Sequence, residues 1–446
     1  MMTMNRLRSF AARAGLGCTA LLWTLVAGAA ELDWSLNAGM THSDNVGRSS
    51  TTESSDTRGE LGLDLSYVRD EGRLNARVGA NLQYRSYFDD SYDDELVGNF
   101  DGRASYWFVP ERFSWVVEDN FGQTYINRAA VETPANRQNT NYFSTGPDVI
   151  LRLGSRTDLS LQGRWSDVSY ETSQADSQRL EGTVGLIRHL GERSSVSLNA
   201  AAASVDIKDP AEGADYDRWS AYLGYEAQGS RTELSLEGGY TELRGAGETV
   251  DGPLFDVSVS RKTSARSTLT LRAGTSLTDS AEMFRLDQGT RSTAGTSDNP
   301  AIDPNVDVSV SAEPFQADYA SLTWQIAGGR TALSMSADWR NEDYVATKTR
   351  NRDSLGFNAV LSREIAPSLT GRLFGMWRNE EFPETDVNYD EWSFGAGISW
   401  AFSRQFSLSL DATRYEGSDD RTDGSGLRDY TENQYSVRVN YYPRGR

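Results

Sequence analysis

Two histidines, a run of serine and acidic residues and several strings of aspartate are the side chains of this 446-residue chain that could do chemistry. His42, Ser43 and Asp44 are consecutive, and a hydrolase needs a nucleophile hydrogen-bonded to a base that a third group orients. In an extended segment, however, neighbouring side chains point to opposite faces, so His42 and Ser43 cannot meet. His189 lies beside a turn at Gly191 and reads as a solvated turn residue. The acidic strings Asp89–Glu95 and Asp419–Gly424 suggest calcium. The second has Asp at positions one and five and Gly at six, but Arg421 stands at the third ligand position and no Glu follows at position twelve. These residues predict no catalytic centre, no metal site and no cofactor, and the chain is read as a non-enzyme.

The remaining charged residues make sense only once the elements that carry them are known. The chain holds 64 acidic against 44 basic residues, a net charge of −20, and no clustered Lys/Arg patch, which excludes a nucleic-acid partner. A mean hydropathy of −0.56 excludes a bundle of membrane helices. The one long apolar run, Ala14 to Ala30, follows Arg6, Arg8 and Arg13 and ends on Ala27-Gly28-Ala29-Ala30. It reads as a secretory signal peptide over residues 1–30, removed on export. Cys18 is followed by an apolar stretch, the wrong order for lipid attachment. Cleavage would remove this only cysteine and three positive charges, leaving −23.

From residue 31 to 446 one unit recurs: ten to fifteen residues of alternating apolar and polar side chains, then a turn. Leu74, Ala76, Val78, Ala80, Leu82 and Tyr84 alternate with Asn75, Arg77, Gly79, Asn81, Gln83 and Arg85. A strand places these sets on opposite faces. About twenty such segments (18–22) begin near residues 32, 58, 73, 94, 113, 139, 157, 177, 194, 216, 231, 250, 266, 313, 330, 350, 367, 388, 404 and 431. Short turns such as Pro110-Glu111-Arg112 and Gly328-Gly329 alternate with long polar links such as 47–57, 128–138 and 417–430, and the links on that side are all expected to be long. A soluble sandwich gives no reason to segregate loop length, whereas an all-β transmembrane antiparallel outer-membrane barrel has tight periplasmic turns and long outer loops. Backbone groups in hydrocarbon must also be paired internally, which requires closure. The expected location is the outer membrane of a Gram-negative bacterium, among lipid and lipopolysaccharide.

Aromatic residues gather at strand ends, as interfacial girdles do. Phe108, Phe113, Trp115, Trp400, Phe402, Phe406 and Tyr441 lie near the short turns; Tyr84, Tyr87, Tyr125, Tyr170, Trp219, Tyr240, Trp339, Trp377, Trp392 and Tyr415 lie near the long links. The inward phase assigns Asp64, Arg77, Arg85, Asp101, Arg103, Trp107, Arg164, Glu233, Glu237, Arg272, Asp338, Arg340, Arg372, Arg378 and Asp411 to the pore lining, with Glu118 beside them. Such a mixed wall favours weak hydrogen bonding to a polar solute over ion selection, and most of its charges are expected to pair across strands. Trp107 and Tyr87 could stack on sugar rings. No plug domain precedes the first strand, and the longest link, 280–312, is expected to be an outer loop on the rim, with strand extension through Val306, Val308 and Val310, in preference to a loop folded into the lumen.

Leu32 to Arg48 reads LDWSLNAGMTHSDNVGR, a strand running into Ser43-Asp44-Asn45-Val46-Gly47-Arg48. It resembles the opening of the EpsL-like β-barrel porin family associated with exopolysaccharide biosynthesis and export clusters. Pro314-Phe315-Gln316 with Tyr319-Ala320-Ser321-Leu322 resembles a later strand of that family. One departure is the end, where Tyr441-Tyr442 is followed by Pro443-Arg444-Gly445-Arg446 instead of closing on an aromatic residue. The resemblance implies an outer-membrane conduit exporting a secreted polysaccharide, with periplasmic export partners. A general or solute-specific diffusion porin passing small polar solutes is the alternative, and an outer-membrane enzyme or surface adhesin ranks behind both.

Overall fold

The computed structural model describes residues 31–211, 213–245, 248–292, 305–420 and 429–444; the expected signal peptide lies outside them. Twenty antiparallel strands form a closed wall. Its first half contains β1 (Glu31–Ser43), β2 (Asp56–Arg69), β3 (Leu74–Tyr87), β4 (Glu95–Val109), β5 (Phe113–Tyr125), β6 (Arg137–Arg152), β7 (Thr157–Tyr170), β8 (Ser177–Gly191), β9 (Ser194–Ile207) and β10 (Tyr216–Gln228). The second half contains β11 (Thr232–Gly245), β12 (Glu248–Ser264), β13 (Ser267–Thr278), β15 (Phe315–Ala327), β16 (Thr331–Tyr344), β17 (Arg352–Ala366), β18 (Leu369–Phe382), β19 (Val387–Ala401), β20 (Phe406–Asp419) and β21 (Tyr430–Tyr441). Between β13 and β15 come helix α1 (Ser280–Ser292) and a short strand, β14 (Asn305–Ser309), neither part of the wall. β1 closes the ring by pairing with β21 from Leu36↔Tyr441 to Ser43↔Gln434. Every wall strand begins within two residues of the start expected from alternation.

The outer face is apolar because cross-strand partners keep the same phase. Leu186, Leu198 and Leu223 align across β8, β9 and β10 and are all exposed on the outside. At the short-turn end Trp400, Phe402, Phe406 and Tyr441 form a chain of rings with centroids 5.7, 6.0 and 5.0 Å apart, an interfacial belt of the kind a bilayer requires. At the other end Tyr84, Trp219, Tyr240, Trp339 and Trp392 are exposed outside. Four expected members of that belt do not join it. Tyr87, Tyr125 and Tyr170 are buried, and Tyr415 lies under the guanidinium of Arg48, 4.6 Å from ring centroid to Cζ. Aromatic residues at strand ends therefore serve two purposes here, and spacing alone does not separate them.

Outer links are not uniformly long. The connection between β18 and β19 has only residues 383–386, and β11 and β12 are separated by two residues, because β12 at 17 residues carries its ladder further out.

The outer half of the barrel departs most from expectation. The β4–β5 ladder stops at Phe100↔Phe121. Gly98, at φ +122°, lets β4 peel away there; a side chain at this position would collide with the backbone oxygen of Asn81. The tip of the β5–β6 hairpin then leans across the mouth, and β14 pairs in parallel with the vacated edge of β5, at Asn305↔Gln123 and Ser309↔Tyr125. The described parts of link 280–312 are thus folded into the barrel, which corrects the rim placement. An apolar cluster explains why: Ala281, Met283 and Phe284 of α1 share a buried cluster with Leu277 and with Tyr142, Val168, Tyr216, Leu243 and Tyr344, the last five on the inner phase at outer strand ends.

Candidate functional site: a polar lumen sealed at its outer mouth

Pairing places every residue assigned to the pore lining on the inner phase, and it does not gather them into one site. Most are neutralised locally. Arg103 donates to Glu118 at 3.0 Å, Arg164 to Asp148 at 2.6 Å and Arg372 to Asp411 at 2.5 Å. Arg85 lies 3.8 Å from Glu95, and Arg77 lies 3.6 Å from Asp70 while mostly exposed. Asp64 accepts hydrogen bonds from Ser35, Asn37 and Asn81 at 3.2, 3.4 and 2.5 Å. Arg340 sits 3.9 Å from Glu342. Asp101, Asp338 and Arg378 share the same inner face, as do Glu237 and Trp107. Glu233 and Arg272 extend, exposed, toward the periplasmic end. Tyr87 is unavailable for stacking on a sugar: its hydroxyl donates to Glu95 at 2.8 Å and its ring packs edge-on against Tyr92.

Exposure along the inner face is graded. On β15, Phe315 and Ala317 are buried at the outer end, Tyr319, Ser321 and Thr323 are half-buried, and Gln325 is exposed at the periplasmic end. On β10, Tyr216 is buried, while Glu226 and Gln228 are exposed. Water reaches the wall from the periplasmic side and is displaced by protein at the outer side.

Two groups of ion pairs hold that seal. Asp279, between β13 and α1, receives both Nη groups of Arg179 at 2.7 Å and the Tyr216 hydroxyl at 2.6 Å. Its Oδ1 also caps α1, accepting the amides of Ala281 and Glu282 at 2.9 and 3.1 Å. Burial alone would raise the pKa of this carboxyl, but the Arg179 guanidinium and these hydrogen bonds outweigh burial and hold it well below the usual carboxylate range. Arg218 holds Glu282 at 2.5 Å, and Arg285 reaches 3.5 Å to Glu118 on β5. Since β5 and β10 are well separated in the ring, α1 must span the interior to touch both.

The second group fastens the β5–β6 tip to the far wall. Arg128 pairs with Glu380 of β18, and the Tyr389 hydroxyl donates to the Arg128 carbonyl at 3.0 Å. Arg352 joins Glu380 to Glu342 at 3.4 and 2.6 Å. Beside them Arg48, at φ +48°, contacts Glu432 at 2.9 Å, Glu391 at 3.1 Å and Glu132 at 3.6 Å. The segment Asp44 to Arg48 is tied to β21 as well: Asp44 accepts the Asn433 amide at 2.7 Å and Asn45 donates to the Thr431 carbonyl at 3.0 Å. Sequence reading found none of these seal residues by role. The available signal was polar side chains on the outward phase of strands still in ladder, at Gln123, Asn139 and Asn141, where a lipid-facing surface would be apolar.

His42 hydrogen-bonds Thr57 at 3.0 Å, whereas Ser43 turns inward to Glu432 at 2.6 Å, so the two residues face apart. His189 pairs with Asp158 at 3.0 Å beside its turn. Among the described residues there is no metal-holding cluster; part of the acidic string 419–424 lies outside them.

A closed antiparallel barrel with an apolar outer band, aromatic belts and a polar interior defines an outer-membrane β-barrel of a Gram-negative bacterium. No family model and no curated protein matches the chain. Solved structures of similar fold include the ferric enterobactin receptor PfeA of Pseudomonas aeruginosa, a mutant, at 10% identity and TM-score 0.45, covering 93% of this chain and 81% of that one. OccK2 (OpdF) of Pseudomonas aeruginosa, in complex with glucuronate, covers 93% and 98% at 10% identity and TM-score 0.37. A loop-deletion mutant of OmpT, an outer membrane protein of Vibrio cholerae, covers 93% and 100% at 10% identity and TM-score 0.35.

Proposed function

We propose that the chain is an outer-membrane channel for the export of a secreted polysaccharide, loaded from the periplasm and closed at the cell surface when idle. The supporting observation is the polarity of closure: the inner wall is hydrated and rich in hydrogen-bonding groups at the periplasmic end, and packed with α1 and the β5–β6 tip at the outer end. A diffusion porin serves uptake and gains from an open outer mouth, whereas an export conduit gains from being shut to the exterior until a polymer or partner opens it. Mixed charges and many hydroxyls along the wall suit a polymer that must bind weakly and slide. The resemblance of Leu32 to Arg48 to exopolysaccharide-associated porins points the same way.

The test has two arms. Deleting the gene should abolish secreted polymer while leaving outer-membrane permeability to small antibiotics unchanged; the opposite pair of results would replace export with general diffusion. In planar bilayers the native protein should conduct little, and a variant in which α1 is loosened by Phe284→Ala should conduct more. No resolvable pore in either would sink both channel readings.

A further inference from the structure

The net charge of this acidic chain is not spread evenly. Seven consecutive short turns, from the β2–β3 turn to the β15–β16 turn, each place an arginine immediately before the next strand: Arg73, Arg112, Arg156, Arg193, Arg231, Arg266 and Arg330. Their structural equivalence is fixed by hydrogen bonds. Each arginine carbonyl accepts an amide from the neighbouring strand that follows the one it precedes, at Trp107, Ile150, His189, Gln228, Lys262, Ala327 and Glu364 respectively, at 2.7–2.9 Å. All seven therefore occupy the last rung of a ladder, and all fall on the inner phase, two residues before lumen positions such as Asn75, Ser195, Glu233 and Thr268. Every one is exposed, and none forms an ion pair with a described residue. The turns also carry Asp70, Glu71, Glu111 and Glu192, but Asp70 is paired with Arg77 and Glu111 with Arg152, and the turns holding Arg156, Arg231, Arg266 and Arg330 contain no acid. In the two remaining turns the equivalent rung is Ser368 and Gln405; Arg404 lies one residue away, on the outward phase.

We infer that this arc of arginines is an intake site for a polyanionic polysaccharide, one bearing carboxylate groups along its length. It rests on the export reading and adds the charge class of the polymer and the place where it is first held. An arc of guanidinium groups that forms no ion pair with a described residue raises the local concentration of an anion and lowers the barrier to threading, an effect that acts over about 8 Å at physiological salt. Guanidinium also matches a carboxylate with paired hydrogen bonds. Phase separates this ligand from anionic lipid: headgroups would meet outward-phase side chains, whereas these sit on the rung that faces the lumen.

The test uses full-length mature protein in zwitterionic detergent, with oligogalacturonate as the anionic probe and a malto-oligosaccharide of equal length as the neutral one. Oligogalacturonate should bind in low salt and weaken steeply as salt rises, and the neutral probe should not bind. The combined variant Arg156→Gln, Arg231→Gln, Arg266→Gln and Arg330→Gln should lose at least tenfold in affinity, while Arg404→Gln should keep native affinity. Heat-modified mobility on gels would establish that both variants are folded. Equal binding of the neutral probe, no binding of the anionic one, or an equal loss in the Arg404 variant would overturn the inference. Its failure is distinguishable from failure of the export reading: if gene deletion abolishes secretion but the fourfold variant secretes normally, the conduit stands and the arginine site falls.

Discussion

Replacing Asp279 should open the outer mouth without dismantling the wall. The carboxylate joins α1 to both β8 and β10, through Arg179 and Tyr216, and it also caps the helix. Asp279→Ala leaves the Arg179 guanidinium without its partner in a site where the side chain is only 11% exposed. Breaking a buried pair from one side costs about 3–5 kcal/mol, and the lower end applies because water can follow the helix out. Loss of the cap adds about 1 kcal/mol. Together, about 4 kcal/mol shifts the closed-to-open ratio by nearly three powers of ten. Asp279→Asn retains a capping oxygen and loses only the charge, so its effect should be smaller by about 1 kcal/mol, and removing Arg179 as well should recover part of the loss. The wall keeps its ladders in every variant, so heat-modified mobility should stay native while single-channel conductance rises and trypsin gains access to Arg285. The pH dependence follows from the sign of the shift. A carboxyl held below its unfolded pKa of about 3.9 contributes stability that is complete above that value and is lost as pH falls through the lower folded one. Acidifying from pH 7 to pH 5 should therefore leave the native mouth closed. Native conductance and protease resistance in Asp279→Ala, or opening of the wild type at pH 5, would refute the latch.

Other substitutions probe the seal and the wall separately. Arg352→Ala removes the cation shared by Glu342 and Glu380, leaving them Arg340 and Arg128, and should destabilise docking of the β5–β6 tip by about 3 kcal/mol, the lower end for a broken buried pair, seen as faster hydrogen exchange at the Asn127 and Ala130 amides; unchanged exchange there would argue that apolar packing alone holds the tip. Leu223→Arg, outward at mid-strand on β10 and 59% exposed, should cost about 2–4 kcal/mol in a bilayer. Ser220→Arg on the inner phase of the same strand should be tolerated, and denaturant unfolding from liposomes would read the difference; equal costs would contradict the assignment of faces.

Strand number and position were legible because each strand keeps period two for a dozen or more residues and is bounded by turn residues, so that β9, starting at Ser194, could be placed from its own sequence. The seal was not, and the reason is physical. Alternation reports which face a residue occupies, not what that face meets. Tyr170 and Tyr415 have the composition and the end position of girdle residues, yet lie on the inner phase, where a second layer of protein covers them. For α1 the difficulty differs: Ala281, Met283 and Phe284 form one short apolar run in a polar link, too brief to carry a period, and its burial depends on residues contributed by many distant strands. Phase puts the lining charges on one face, but their mutual pairing, such as Arg372 with Asp411 on β18 and β20, depends on register across an intervening strand, which alternation leaves open.

Coupling between the two halves of the seal decides whether the mouth opens in one event or two. The β5–β6 tip and the α1 segment are held by separate ion pairs on separate parts of the wall, yet their backbones are joined where β14 pairs with β5 and the Val310 amide donates to the Tyr125 carbonyl at 3.1 Å. Withdrawing either element strips hydrogen bonds from the other. An edge left unpaired in this buried position costs about 1–3 kcal/mol for each unsatisfied group, enough to make partial opening unfavourable relative to opening both together. Arg352→Ala should therefore accelerate exchange at Val310 as well as at Asn127, although Arg352 contacts neither. Combining it with Asp279→Ala should open the mouth by less than the sum of the single effects, because the first release has already removed what the second would break. Strict additivity, with Val310 still protected in Arg352→Ala, would mean two independent gates.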